Sequence, residues 1–120
     1  MTRFSKTVRN LILVRCDGYC ELCSSVVVEV YHHRRPRGAG GSSLPWVNRA
    51  ANGLGLCNTC HLWVEGRVEG SSRIRSTEVG WLISQHTGQE ADTVAVIRRG
   101  QRVLLGNDGS VIPLPESETD

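Results

Sequence analysis

Two C-x-x-C pairs, Cys20 with Cys23 and Cys57 with Cys60, lie 33 residues apart and constrain this 120-residue chain more than any other feature. Each pair offers two thiolates at a bite that fits one tetrahedral ion, and four thiolates favour zinc. The separation is longer than a compact zinc ribbon shows. It fits a treble-clef arrangement: a knuckle, a β-hairpin, a loop, and a helix whose first turn carries the second pair. A redox C-x-x-C is the competing reading, made less apt by two pairs in one small basic domain. Cys16 makes the cysteine count odd and rules out complete pairing. It could replace Cys20 as a ligand, but a C-x-x-x-C knuckle is less common, so it is read as a buried spare.

Composition explains why a staple is needed. One Phe, two Tyr and three Trp stand against thirteen Gly, and so thin a core needs a metal or disulfides to hold it. The length fits one domain. No secretory signal is visible, and no stretch approaches the roughly 18 apolar residues of a membrane helix. An intracellular chain without membrane contact is expected, and in that setting paired cysteines bind metal rather than bridge.

Charge is unevenly spread. Residues 1–75 carry eleven basic and five acidic side chains, whereas residues 76–120 carry three and seven. Thirteen of the fourteen basic residues are Arg, which suits bidentate phosphate contact. A nucleic-acid partner is one reading of this asymmetry and a solvated surface the other.

The expected fold is small α+β: a treble-clef core with an N-terminal helix and a short β-rich extension. Ser5 caps a helix to about Arg15, stopped by Gly18. "VVVEVYHHRR" supplies one strand or two short hairpin arms, and Arg34 to Asn52 reads as loop. Leu54 to Cys57 forms a brief strand before a helix from about Asn58 to Glu65. "VEGSSRIRS" reads as a linker, so the core is assigned to residues 1–75 and the extension to 76–120. The extension begins with a helix over Ser76 to Ser84. β-structure follows in "TVAVIRR", "QRVLLG" and "SVIPL", and then a disordered "PESETD". Trp46, Trp63 and Trp81 are expected as core anchors, and His86 as an ordinary surface residue.

With four thiolates the zinc site is closed, leaving His61 and Glu65 of "LCNTCHLWVEG" without a structural task. They share one helical face. Adjacent His32 and His33 on a strand point to opposite faces, so one could bind metal while the other does acid–base work. Alone, such a pair also fits half-exposed strand histidines; His61 on a neighbouring helix favours a site.

These residues together, "C-x-x-C … VEVYHHRRPRGAGGSS … N-G-L-G-L-C-N-T-C-H", resemble HNH endonucleases of the four-cysteine zinc type found in bacteriophage and bacterial genomes. The resemblance covers about Arg15 to Gly66, with weaker similarity through "VGWLISQ" and the β tail. It implies a ββα-metal core and hydrolysis of DNA phosphodiester bonds, nicking or cutting both strands. It also implies a bacterial host cytoplasm and a place beside phage terminase in DNA packaging. By its motif, His33 matches the general base, while His32 and His61 match ligands of a catalytic divalent metal. Glu65 falls where some members place a third ligand. Asn52, nine residues before His61, matches the asparagine that ties down the loop and orients the base; Asn48, thirteen residues before, fits that spacing poorly. The family usually has a bulky apolar residue where this chain has Gly53, and Gly55 follows two positions on.

The chemistry needs such groups independently. A neutral imidazole accepts a water proton near neutral pH, and a divalent ion on His32, His61 and Glu65 stabilises phosphoryl charge. Mg²⁺, Mn²⁺, Ni²⁺ or Zn²⁺ could serve, with histidines favouring the later ions. Arg34, Arg35 and Arg37 of "RRPRGAGG" are expected on flanking phosphates, the alternative being a solvated basic loop. A non-catalytic treble-clef DNA-binding module is the rival function, and a thiol redox protein a third. No base-reading pattern stands out, and the oligomeric state is not legible.

Overall fold

The computed structural model describes residues 3–36 and 44–115, with three α-helices and two small antiparallel sheets. Helix α1, Lys6–Cys16, starts where the Ser5 hydroxyl accepts the Val8 N–H at 3.2 Å, satisfying one amide that a helix start leaves orphaned. It ends as Asp17 and Gly18 turn left-handed, with φ of 58° and 79°. There the Gly18 amide reaches back to the Leu13 carbonyl at 3.0 Å, closing the helix end.

The knuckle follows, with Cys20 N–H on the Val26 carbonyl at 2.8 Å. Strand β1, Val30–His33, then pairs with β2, Gly53–Leu56, in the register His32 opposite Leu54 and His33 opposite Gly53. The departure at Gly53 has a steric cause. A Cβ there would stand 2.5 Å from Ile12 Cδ1 and 3.0 Å from Phe4 Cζ. Glycine thus lets α1 and Phe4 lie directly on the hairpin, which matters below because Phe4 touches His33.

Helix α2, Asn58–Val64, begins at Cys57. Gly66, at φ 72°, turns the chain so tightly that a Cβ would come within 3.0 Å of Arg73 Cγ. Helix α3 runs Arg73–Glu78, capped by Ser72 and anchored by Ser76, whose hydroxyl donates to the Val64 carbonyl at 2.6 Å. The expected helix over Ser76 to Ser84 is therefore displaced, and part of the expected linker is helical. Gly80, at φ 83°, ends it where any Cβ would collide with the Ala95 carbonyl. Trp81 to Ile83 run alongside β1, the Ile83 amide bonding the Arg34 carbonyl at 2.9 Å.

The C-terminal meander is β3, Val96–Arg98, β4, Gln101–Leu105, and β5, Val111–Pro113, in that order. Arg99 and Gly100, both at positive φ, make the two-residue hairpin turn. Leu82, Val96, Val103 and Leu105 share one buried cluster with Val47, Leu54, Leu56 and Val64. The meander is thus packed into the same core as the hairpin. Trp46 is buried and Trp81 donates its indole N–H to the Ile97 carbonyl at 2.7 Å. Trp63, by contrast, is 40% exposed and is no core anchor. Among the described residues no helix is long and apolar enough to cross a membrane. The end of the chain expected to be disordered lies, from residue 116, outside the described residues.

Candidate metal centres

The knuckle and the first turn of α2 bring Cys20, Cys23, Cys57 and Cys60 together, with all four sulfurs within 4.8 Å of one another. Cys23 and Cys57 sulfurs stand 4.0 Å apart. A tetrahedral ion with bonds of ~2.3 Å puts its sulfurs roughly 3.8 Å apart, so the cluster has the size of a four-thiolate metal site. None of the five cysteines is in a disulfide. The Ser25 backbone N–H draws the Cys23 thiol down to about 7, whereas burial pushes Cys57 and Cys60 up. A cation arriving there displaces protons as it binds. Cys16 stays outside the cluster, buried, its thiol on the Leu13 carbonyl at 3.8 Å.

Behind the cysteines lies an ion network that sequence reading missed. Glu21, inside the knuckle, is fully buried. It accepts two bonds from Arg15, at 2.9 and 2.6 Å, one from Arg98 at 2.6 Å, and the Gly55 amide at 2.8 Å. Burial pushes its carboxyl up, but the arginines and the amide outweigh that and hold it below the usual range. Arg99 donates to the Cys16 and Tyr19 carbonyls at 2.9 and 3.1 Å. The meander is thereby bolted to the knuckle. A glutamate between two cysteines gives no sequence signal of this.

Helix α2 carries a second centre one turn further on. His61 and Glu65 on α2 meet His32 of β1, with one ligand atom of each within 4.8 Å of the others. The two imidazole rings sit 5.2 Å apart at 62°, and His61 Nε2 is 3.4 Å from Glu65 Oε2. His32 Nε2 donates to the Trp81 carbonyl at 2.8 Å. That bond places the lone pair on Nδ1, the outer-sphere arrangement by which metal-binding histidines are oriented. Burial drives the His32 pKa down to about 3, so the ring is neutral and ready to ligate at ordinary pH. Two imidazoles and one carboxylate leave coordination positions open. They border a cleft of about 410 Å³, which Tyr31, His33 and Arg73 also line.

His33, on the opposite face of β1, lies against Phe4, ring centroids 3.9 Å apart and nearly parallel at 7°. Its Nε2 donates to Asn48 Oδ1 at 2.9 Å, leaving Nδ1 as the basic nitrogen. The amide on the ring is thus that of Asn48, the residue that fits the family spacing poorly. Asn52 is instead fully buried, taking the Arg35 N–H at 2.8 Å and donating to the Arg35 and Val47 carbonyls at 3.2 and 2.8 Å. It ties the loop together without these bonds reaching His33. Phe4 was not singled out from sequence either; its position immediately before the α1 cap, Ser5, is the one available hint.

The expected phosphate arginines divide. Arg34 is fully buried and donates to the Gly80, Ala51, Ala91 and Val94 carbonyls at 2.8–3.1 Å. Burial lowers its pKa to about 9, still charged at neutral pH, and no phosphate can reach it. Arg35 lies over the Trp46 ring, 5.8 Å from its centroid, a cation–π contact. Arg37 lies outside the described residues. Comparison with protein-family models, with curated proteins and with solved structures finds no match.

Proposed function

We propose that this chain is a metal-dependent HNH-type endonuclease acting on DNA, with a zinc-bearing treble-clef, ββα-metal core. The observation that carries the reading is the meeting of His32, His61 and Glu65 beside an oriented histidine, His33, at one open cleft. A binding module needs the cysteines but has no use for that second cluster. Cys20, Cys23, Cys57 and Cys60 hold structural zinc. His32, His61 and Glu65 hold a divalent ion, which when bound supplies positive charge to the phosphoryl and leaving oxygens.

The residues of the chain perform the rest. His33 Nδ1 takes a proton from the attacking water, with Asn48 fixing the tautomer and the Phe4 ring fixing the plane. A base so oriented contributes about 10²–10⁴-fold. The test is nicking of supercoiled plasmid across Mg²⁺, Mn²⁺, Ni²⁺ and EDTA, beside His33→Ala. Cleavage that needs metal and is lost in the variant is the expected result. A retarded band with no cleavage under any ion would replace this reading with the binding module.

A further inference from the structure

The central cleft does not stand alone. Val30, Tyr31 and His33 also border a second cleft, of about 430 Å³, which Arg3 and Arg9 line. At its other end, Pro36, Arg73 and Leu82 also border a third, of about 390 Å³, running past Thr77 and Ser84 to His86. Shared lining residues make the three clefts neighbours, a trough in three parts, with His33 common to the central and second and Arg73 common to the central and third.

Cations stand on both sides of the central cleft, Arg73 where it meets the third and Arg3 in the second. Among the described residues nothing pairs with the Arg73 or Arg3 guanidinium, and both side chains are exposed. Glu29, the acidic group of the second cleft, accepts the Asn58 N–H at 2.9 Å and is outnumbered there by Arg3 and Arg9, and Glu65 belongs to the ligand cluster. Arg73 reaches the trough because Gly66 allows the tight turn that sets the start of α3 beside α2.

We propose that this trough holds one strand of a polynucleotide, with Arg73 taking a phosphate on one side of the scissile bond and Arg3 one on the other. This rests on the endonuclease reading and deepens it. The substrate is a chain extending at least one phosphate in each direction, held by its backbone, one strand at a time. Phosphates position a strand without reading its sequence, so the proposal also accounts for a sequence in which no base-reading pattern stands out.

The test compares a single-stranded 12-mer with bis(p-nitrophenyl) phosphate, a diester too small to leave the central cleft. Arg73→Gln and Arg3→Gln should each lower kcat/KM on the oligonucleotide about tenfold, the worth of one charge-assisted hydrogen bond. Arg3, which lines the second cleft and not the central one, provides the contrast: Arg3→Gln should leave the small diester unchanged. Equal losses on both substrates in Arg3→Gln, or no loss on the oligonucleotide in either variant, would overturn the trough. Binding of a phosphorothioate 12-mer gives a readout independent of cleavage. Each variant should flatten the slope of log K against log salt by about 0.7. If the wild type hydrolyses neither substrate, the endonuclease reading falls. The slope still decides the trough, which is rejected if both variants keep the wild-type slope or the wild type does not bind.

Discussion

One helix serves two ligand clusters of opposite character. At its first turn Cys57 and Cys60 complete a closed set of four sulfurs backed by a buried carboxylate and two arginines. One turn later His61 and Glu65 contribute to an open set, each side chain about a quarter exposed. All four sulfurs of the first lie within 4.8 Å of one another, whereas the second borders an open cleft. The lesson is positional: successive turns of one helix contribute to a compact sulfur cluster and, together with His32 of the strand, to an open one.

The largest expected effect separates the two directly. Cys60→Ser should abolish the cooperative thermal transition, since structural zinc in small domains supplies apparent binding energies of about 10–16 kcal/mol. Mild chelation that empties only the open cluster should leave that transition in place. If both treatments unfold the chain alike, the contrast is wrong. Next, Glu21→Gln leaves Arg15 and Arg98 buried around a neutral partner. Breaking such a set costs about 3–5 kcal/mol, readable as a lower urea midpoint with zinc still bound.

His61→Ala addresses the open cluster. We expect cleavage to fall about 100-fold or more while the unfolding free energy read from urea titration changes by no more than roughly 0.5 kcal/mol. A large loss of stability would make His61 a packing residue. The two asparagines should part company in the same way. Asn48→Ala should lower cleavage and spare the fold, whereas Asn52→Ala, which removes three hydrogen bonds of a buried side chain, should cost about 1–3 kcal/mol of stability. Reversal of that pattern would return the orienting role to Asn52.

The last prediction is a pH dependence. His32 titrates near 3 when folded against an ordinary 6.5, so on acidification the unfolded chain binds its proton first. Its contribution is therefore complete above 6.5 and is lost as pH falls from there toward 3. Melting of the wild type without added divalent ion should decline through this window, and His32→Gln should decline less. Parallel curves would mean that His32 is not the group responsible.

The two clusters were not equally legible. The cysteines announce themselves by spacing, and the helix between Cys57 and Gly66 follows from its cap and stop. Strand alternation and the i, i+4 rule are local and brought the histidine pair, His61 and Glu65 forward, but only the resemblance chose His32 over His33 as the ligand. What escaped was set by long-range packing. Nothing near Arg34 says that four carbonyls from residues 51–94 will surround it. Likewise nothing near Arg73 reveals that a turn at Gly66 will swing it to the cleft. Asn48 was passed over because spacing measures distance along the chain, while orientation of a ring depends on distance through space. The misplaced third helix has a simpler cause: Trp81 and Leu82 look like an apolar helical face, but Gly80 has already ended the helix.

The bond from His32 to the Trp81 carbonyl has a practical consequence. A donor nitrogen of the open cluster takes its tautomer from a residue beyond position 75, and Arg34, immediately after the strand, is clasped by carbonyls at 80, 91 and 94. The stretch from Cys20 to Gly66 is consequently not a portable cassette. Grafted into another protein, or expressed by itself, it would keep its four cysteines and lose the carbonyls that aim one histidine and solvate the buried Arg34 guanidinium. Any effort to borrow this chemistry has to carry the tail along.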